Sequence, residues 1–421
     1  MNLRPDWSRP SEGGTKGRPL GPGFDALFRG SLITNTGDGI RLAALPLLAA
    51  SLTSSPLLIA AVTAAQYLPW ATFAPLGGVI VDRRDRRQTI LVTQTWRGLV
   101  MVALAALVWM DLVAIWQLCV VAFLITVGEI MVDPSTVALV PTVVDDGDLD
   151  HANGRIAGAE IVTNDFAGGP IGAAVFSLAP WLPFLINAAS YLGSLQPFRR
   201  LPTGPARPRG LRGKAGPGSR RREAVEGFNW LRSHPVLGPF TLAQVVYYLG
   251  VSAGLSLLVV LVTIELDAPS IAFGAALAAG ALGAFAGSLT GRRIVAAIGV
   301  RATLSGAVAA QGATLVAAAI SNSALLVVVL WFVNGFPAGA QRPIARSMQQ
   351  RLTPNHLLGR VNVTARIATR GIIIFGALAA GGLATATSVR WALAAGGAIE
   401  VLAAALIWRA LTRSRSRPEE R

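Results

Sequence analysis

Twelve times along this chain, a run of about twenty apolar residues is followed by a short polar or basic break. Roughly 20 apolar residues are what an α-helix needs to cross the hydrocarbon core of a bilayer. Inside that core every backbone N–H and C=O must be satisfied within the segment, so a chain written this way folds as packed transmembrane helices. The runs lie near residues 26–50, 57–80, 89–110, 113–141, 155–179 and 181–198, then 237–262, 270–290, 301–320, 324–343, 364–387 and 389–410. The length alone would also suit two or three soluble domains. A composition of 52% hydrophobic and 14% charged residues is too apolar for them.

Charge gives the topology. In a soluble protein the net charge of +15 would point to nucleic acid. Here 34 of the 37 Lys and Arg fall in alternate loops and flanks that lie on one side, which argues for a lipid partner and no nucleic acid. Arg41 and Arg97 lie within spans, and only Arg390 falls in a loop on the other side. Basic loops stay in the cytoplasm, so both termini are expected there. Arginine outnumbers lysine 35 to 2, which suggests a GC-rich genome and a bacterial cytoplasmic (inner) membrane.

Residues 1–23 are polar, rich in Gly and Pro, and lack the apolar core of a signal peptide; they are expected to form a disordered cytoplasmic tail. Residues 24–198 and 236–410 each hold six spans. Between them, 199–235 is a basic linker, with nine Arg or Lys from Arg199 to Arg222, suited to an anionic leaflet. Its last part, Glu223 to Ser233, has the pattern of a surface helix, with Val225, Phe228, Trp230 and Leu231 partly facing lipid. Residues 411–421 form a charged cytoplasmic tail. The single cysteine, Cys119, excludes an internal disulfide and reads as a small apolar residue in span 4.

Between spans 2 and 3 stands Gly77-Gly78-Val79-Ile80-Val81-Asp82-Arg83-Arg84-Asp85-Arg86-Arg87. On its residues alone this is a tight positive-inside hairpin, with glycine placed to let a neighbouring helix approach. The spacing Gly78-xxx-Asp82-Arg83-xx-Arg86-Arg87 resembles the loop between helices 2 and 3 of the major facilitator superfamily, which usually has glycine where this chain has Asp85. The Asp-Arg-x-Asp-Arg-Arg form is similar to the branch of enterobactin exporters and macrolide-efflux proteins. The resemblance implies an all-α membrane protein of two pseudo-symmetric six-helix bundles. It also implies alternating access, monomeric action, and export of an amphiphilic small molecule in exchange for protons, with no cofactor beyond the proton gradient. In that family the loop aspartate, here Asp82, docks against the start of helix 11, where this chain places Arg366 and Arg370.

The two halves repeat. Gly287-xxx-Gly291-Arg292-Arg293 follows span 8 as Gly78-xxx-Asp82-Arg83-Arg84 follows span 2. Asp133-Pro134 corresponds to Arg342-Pro343, and Gly154-Arg155 to Gly359-Arg360. Ten residues beyond those two arginines stand Asp165 and Arg370. Parallel six-helix repeats are the construction expected of this superfamily.

An ionisable group at mid-bilayer costs about 2.5–3.5 kcal/mol or more, so each one needs a reason. Asp38 and Arg41, three apart, share one face of span 1. They read either as a self-neutralising structural pair or as part of a proton site. Glu129 and Asp133 share a face of span 4, with Arg97 at similar depth in span 3. One arginine cannot neutralise two carboxylates, which leaves either a fixed Arg97–Asp133 brace or a carboxyl able to carry a proton, Glu129 being the better carrier. Glu160, Asn164 and Asp165 lie in span 5 ahead of Gly168-Gly169-Pro170-Ile171-Gly172. That stretch partly resembles the helix-5 antiporter motif of drug exporters, and also suits plain close packing. The expected proton-coupling set is therefore Asp38, Arg41, Glu129, Asp133 and Asp165. The expected gating set is Gly78, Asp82, Arg83, Arg86, Arg87, Arg97, Arg342, Arg366 and Arg370.

The second half carries one clear intramembrane carboxylate, Glu400, with Arg370 as its expected partner. Gln244, Tyr247, Tyr248, Asn334 and Phe336 offer an apolar binding wall with polar anchors. No Walker-type Gly-x-x-x-x-Gly-Lys is present, the three histidines fall in loops without metal-ligand spacing, and no serine–histidine–acid set can be placed at one depth. A transporter is therefore expected rather than an enzyme. An importer of the same fold is the nearest rival to export; a membrane receptor or enzyme without transport is more distant.

Overall fold

The computed structural model describes residues 20–73, 85–202, 226–354 and 357–412, all helix and short connections with no strand among them. In the first half α1 is Pro22–Leu52, α2 Pro56–Thr72, α3 Arg86–Trp109, α4 Ile115–Val143 and α6 Leu182–Phe198. Between α4 and α6, α5 runs through Leu149–Glu160, a π-helical segment Ile161–Ala167, and Gly168–Leu178. In the second half α7 is Leu237–Val260, with a π-helical end at Leu261–Glu265. Ser270–Ala319 is helical except at Gly299, whose φ of 80° and ψ of 162° divide it into α8 (270–298) and α9 (300–319). A side chain there would be strained, which is why glycine occupies the break. α10 is Ala324–Leu352, α11 Leu358–Ala386 and α12 Val389–Thr412. The hairpin residues Gly78, Asp82 and Arg83 lie outside the described residues.

Seven of these helical stretches, Arg86–Trp109, Ile115–Val143, Leu237–Glu265, Ser270–Ala319, Ala324–Leu352, Leu358–Ala386 and Val389–Thr412, are by themselves long and apolar enough to cross a membrane. The others depart for visible reasons: α1 carries the polar stretch from Asn35 to Arg41, α2 and α6 have 17 described residues each, and α5 is interrupted.

Several helices outrun their apolar runs. α10 continues past Pro343 to Leu352, and α11 begins at Leu358 rather than near 364. Apolarity marks the edge of the membrane, whereas Ala, Arg, Met and Gln continue a helix into water. Asp85, where the superfamily usually has glycine, is the N-cap of α3: its carboxylate accepts from the Gln88 N–H at 3.2 Å. The next two residues tie helices together. Arg86 donates to the Ala138 carbonyl of α4 at 3.0 Å and Arg87 to the Arg199 carbonyl beyond α6 at 2.5 Å. Arg390, the basic residue on the far side, donates to the carbonyls of Ala319 and Ser321 at the end of α9, 3.1 and 2.8 Å away. A cation at a helix C-terminus meets the negative end of the macrodipole.

Within the first half α1 packs on α5 and α6, α3 on α4 and α6, and α2 on α4; within the second, α7 packs on α11 and α12, and α9 on α12. The halves meet along α2–α11 and α5–α8. One apolar core spans both halves at the end away from the termini: Leu45 and Leu48 of α1, Phe176 of α5, Leu258 of α7, Phe273 of α8 and Leu393 of α12 all belong to it. At the end carrying the termini the cores are separate. Phe24, Leu27, Ile90 and Phe198 serve the first half; Phe240, Leu304, Val308 and Ile407 serve the second. Among the described residues the molecule is sealed by one shared core at one end and parted into two cores at the other, where Arg366 and Arg370 of α11 still reach Trp70 and Tyr67 of α2.

The surface helix is found at 226–233, with a correction to its setting. Leu231 is buried against Leu237, Leu357 and Val361 instead of facing lipid, and Trp230 packs beside it. Glu226 bridges to Arg360 in the first turn of α11 at 2.6 Å. Phe228 does stay exposed, and Val225 lies outside the described residues.

Candidate functional site

The polar turn of α1 is squeezed between two helices, and its glycines are the reason. A Cβ on Gly37 would run into Ser190 and Asn187 of α6; one on Gly39 would lie 2.6 Å from the Thr163 carbonyl in the π segment of α5. Asp38 and Arg41 are thereby driven into the interior, where Arg97 of α3 and Glu129 of α4 meet them. Arg97 needs its own clearance: its Cδ passes Gly128, where a Cβ would lie 2.5 Å away.

The four charges form one buried network. Arg41 reaches Glu129 at 2.8 Å and Asp38 at 3.6 Å; Arg97 reaches Asp38 at 3.3 Å and Glu129 at 3.6 Å. The Tyr191 hydroxyl of α6 donates to Asp38. It also accepts from Arg97 at 2.7 Å. Gln94 of α3 accepts from Arg97 at 3.0 Å and donates to Thr34 at 2.8 Å, extending the network to α1. Arg41 and Arg97 are 2% and 1% exposed. Buried ion pairs need balanced charge and met donors. Two guanidiniums and two carboxylates balance the charge here, and Tyr191 and Gln94 take two of the Arg97 donors. Nε and Nη1 of Arg41 and Nε of Arg97 stay without a hydrogen bond among the described residues.

This arrangement corrects two expectations. Glu129 is not short of positive charge, because Arg41 turns toward it. The Arg97–Asp133 brace does not form: Asp133 makes no ion pair or hydrogen bond among the described residues and is exposed at the parted end. Asp133 stands one helical turn nearer that end than Glu129, about 6 Å along α4.

Gly168, Gly169, Pro170 and Gly172 follow directly on the π segment that contains Asn164 and Asp165. Gly168 and Gly172 face the backbone of Gly39 and Ile40 in α1, and Gly169 faces Leu277 of α8, 3.0 Å from where a Cβ would lie. The motif makes two close crossings, one within the first half and one between the halves. π segments inside α-helices are frequent at functional sites.

In the second half, the expected binding wall is partly committed to structure. Tyr247 is buried and donates to Gln311 at 2.7 Å. Asn334 donates to the Gln311 carbonyl at 3.1 Å and to Thr314 at 2.8 Å, tying α10 to α9. The backbone of Phe336 fills the α8–α10 crossing beside Gly283 and Gly287. Gln244 and Tyr248 stay half-buried. The Arg370–Glu400 pair does not form. Glu400 is buried against Gly250 and Gly312, with one carboxyl oxygen unpartnered among the described residues. Arg370 instead lies 5.7 Å from the Tyr67 ring and 5.9 Å from the Trp70 ring of α2, and Arg366 lies 4.9 Å from Trp70. These are cation–π distances. Tyr67, Trp70, Tyr191 and Gln94 escaped the sequence reading; the Tyr67–Trp70 spacing of three, on one helix face, was the available signal.

A buried charge network in one six-helix half, a second half related to it by repeat, and a seal at one end define a secondary transporter of the membrane. The chain belongs to the family described as transmembrane secretion effector, which matches residues 19–418. It is 26% identical over 290 residues to the uncharacterized MFS-type transporter YceJ of Bacillus subtilis (strain 168), covering 68% of this chain and 70% of that one. Among solved structures, the nucleoside transporter NupG superposes with a TM-score of 0.76 at 12% identity, covering 92% of this chain and 99% of NupG. A bacterial homologue of the iron transporter ferroportin, in its inward-facing state, superposes at 0.73 with 18% identity, covering 95% and 100%. The chain is thus a multi-pass membrane transporter of the major facilitator type, and not an enzyme.

Proposed function

We propose that this transporter exports an amphiphilic small molecule by alternating access, driven by protons, from the cytoplasmic side of a bacterial inner membrane, and works as a monomer. The observation that carries the reading is the pairing of a balanced buried network with an unpaired carboxylate one turn away. Asp38, Arg41, Arg97 and Glu129 hold α1, α3 and α4 together, and Asp133 is left free to bind and release a proton at the parted end. Asp165, in the π segment of α5, is the second coupling candidate. The positive-inside rule puts the parted end and both termini in the cytoplasm, so the molecule faces its substrate from within the cell. The loop that resembles enterobactin and macrolide exporters, and the helix-5 motif, favour export over uptake. The boundaries at 198–199 and 235–236 separate two bundles that rock against each other along α2–α11 and α5–α8.

The test is accumulation of a compound panel in cells with and without the protein, with and without an uncoupler. Export predicts lower accumulation of some compounds when the protein is present, lost with the uncoupler and with Asp133→Asn. Higher accumulation with the protein would make it an importer. Export that ignores the uncoupler would remove proton coupling.

A further inference from the structure

The internal repeat exchanges acid for base. Asp133 of α4 corresponds to Arg342 of α10, and Asp165 of α5 to Arg370 of α11. At the parted end the unpaired carboxylate of Asp133 therefore belongs to the first half, and Arg342 and Arg370 to the second. Arg342 and Arg346 are four apart on α10, and Arg366 and Arg370 are four apart on α11, so each pair shares one helix face. Arg342 and Arg370 lie about 15 Å and 18 Å along their helices from Leu352 and Leu358; counted from the edges of the apolar runs at 343 and 364, Arg342 stands at the rim and Arg370 about 9 Å in. The positive-inside rule accounts for Arg342 at the rim, and less well for Arg370 about 9 Å inside it.

None of the four makes an ion pair or a donated hydrogen bond among the described residues. Asp133 lies across from Arg366 within electrostatic reach but beyond ion-pair distance. Glu129 is near enough to sense Arg370, yet its ion pairs are with Arg41 and Arg97. Arg342 and Arg370 both act on Tyr67, so α2, α10 and α11 face one space. Stacking on Tyr67 and Trp70 occupies the face of a guanidinium and leaves its N–H edge free. That edge is the geometry that takes up a carboxylate or sulfonate.

We propose that this vestibule binds an anionic amphiphile, its acid group held by Arg370 and Arg342 and its apolar body laid against Tyr67, Trp70 and Tyr248. The assignment rests on the export reading above and narrows its substrate to an anion carried on an aromatic or apolar frame. A cationic drug would meet like charge on the second-half wall.

The experiment is equilibrium dialysis of the full chain in nanodiscs of zwitterionic lipid against three probes of one shape: naphthoate, naphthalenemethanol and naphthylmethyl trimethylammonium. Naphthoate is expected to bind about tenfold tighter than the other two. Arg342→Gln and Arg370→Gln should each weaken it about fivefold or more while leaving naphthalenemethanol unchanged. Arg342 is exposed and without a bonded partner, so its variant keeps the fold even if the other does not. Tighter binding of the cation, or naphthoate binding indifferent to both arginines, overturns the proposal. Energised everted vesicles separate it from its parent reading. Pumping of the cationic probe alone would keep proton-driven export and remove the anion. Arginine-dependent naphthoate binding without pumping would keep the anion site and remove export.

Discussion

At the scale of single residues, the two intramembrane acid environments differ in kind. Asp38 has Arg97, Arg41 and Tyr191 around it. Removing one charge from such a buried network leaves a guanidinium uncompensated, typically at about 3–5 kcal/mol. Asp38→Asn is therefore expected to lower the melting temperature in detergent markedly. Asp133→Asn, at an exposed unpaired carboxylate, should leave the melt unchanged and abolish proton-driven transport. Equal melts for the two variants would refute the structural ranking of the sites. Glu400 lies at the other extreme, buried with one oxygen unpartnered. Glu400→Gln offers an isosteric amide without the charge, and should hold or raise the melting temperature; a loss of several degrees would mean a partner beyond the described residues. The sequence made part of this legible. The Asp38–Arg41 spacing and the depth of Glu129 identified who was buried, because charge in an apolar run is conspicuous. Who met whom was not legible: Arg97 could reach either carboxylate of α4, and only the α1–α3–α4 crossing, opened by Gly128, decides it. Tyr191 and Gln94 left no mark, since one tyrosine or glutamine in a membrane helix is unremarkable until its partners are known.

At the scale of elements, α5 and α7 show what apolar periodicity conceals. Seven residues of α5, Ile161–Ala167, are π-helical, yet nothing in their composition separates them from an α-helix. Only the Gly168-Gly169-Pro170 that follows hinted at a helix under special demand. Gly172→Ala would press a methyl group onto the Ile40 carbonyl of α1, and should lower stability by about 1–3 kcal/mol and impair transport. Gly306, with open space around its Cβ position, is the control and should tolerate alanine. The start of α7 carries a different device. His234 accepts at Nδ1 from the N–H groups of Val236 and Leu237, at 3.2 and 3.0 Å, and so caps the helix in its neutral form. Burial pushes its pKa below the ordinary value, so the folded state disfavours the imidazolium. The cap's contribution is complete above the unfolded pKa of about 6.5 and is lost as pH falls through that value toward the folded one. His234→Ala should cost about 1 kcal/mol at pH 7.5 and less at pH 5.5, read as converging melts. A variant whose deficit grows toward acid would rule the neutral cap out.

At the scale of the whole molecule, the seal and the parted end are two sides of one equilibrium. Near the sealed end α2 and α11 approach closely: the Leu57 N–H donates to the Thr385 hydroxyl at 3.3 Å, and a Cβ on Gly381 would lie 2.6 Å from Ala60 and 2.9 Å from the Leu57 backbone. A backbone obstacle of that kind cannot move aside, so a large side chain at Gly381 must push the helices apart. An alternating-access transporter relieves the strain by closing the opposite end, since the alternative is exposure of its shared apolar core to water. Gly381→Leu is thus expected to populate the state open at the end that is sealed here. Cys119 is the one cysteine of the chain, so replacing it with alanine permits single reporters. A cysteine at Ala276, buried in the shared core, should react with a membrane-impermeant thiol reagent about tenfold faster in the Gly381→Leu background; one at Asp133, at the parted end, should react more slowly. The paired, opposite changes are the signature of rocking. If the Ala276 reporter speeds up while the Asp133 reporter stays fast, the substitution has merely loosened the seal, and the two ends are not coupled through α2 and α11.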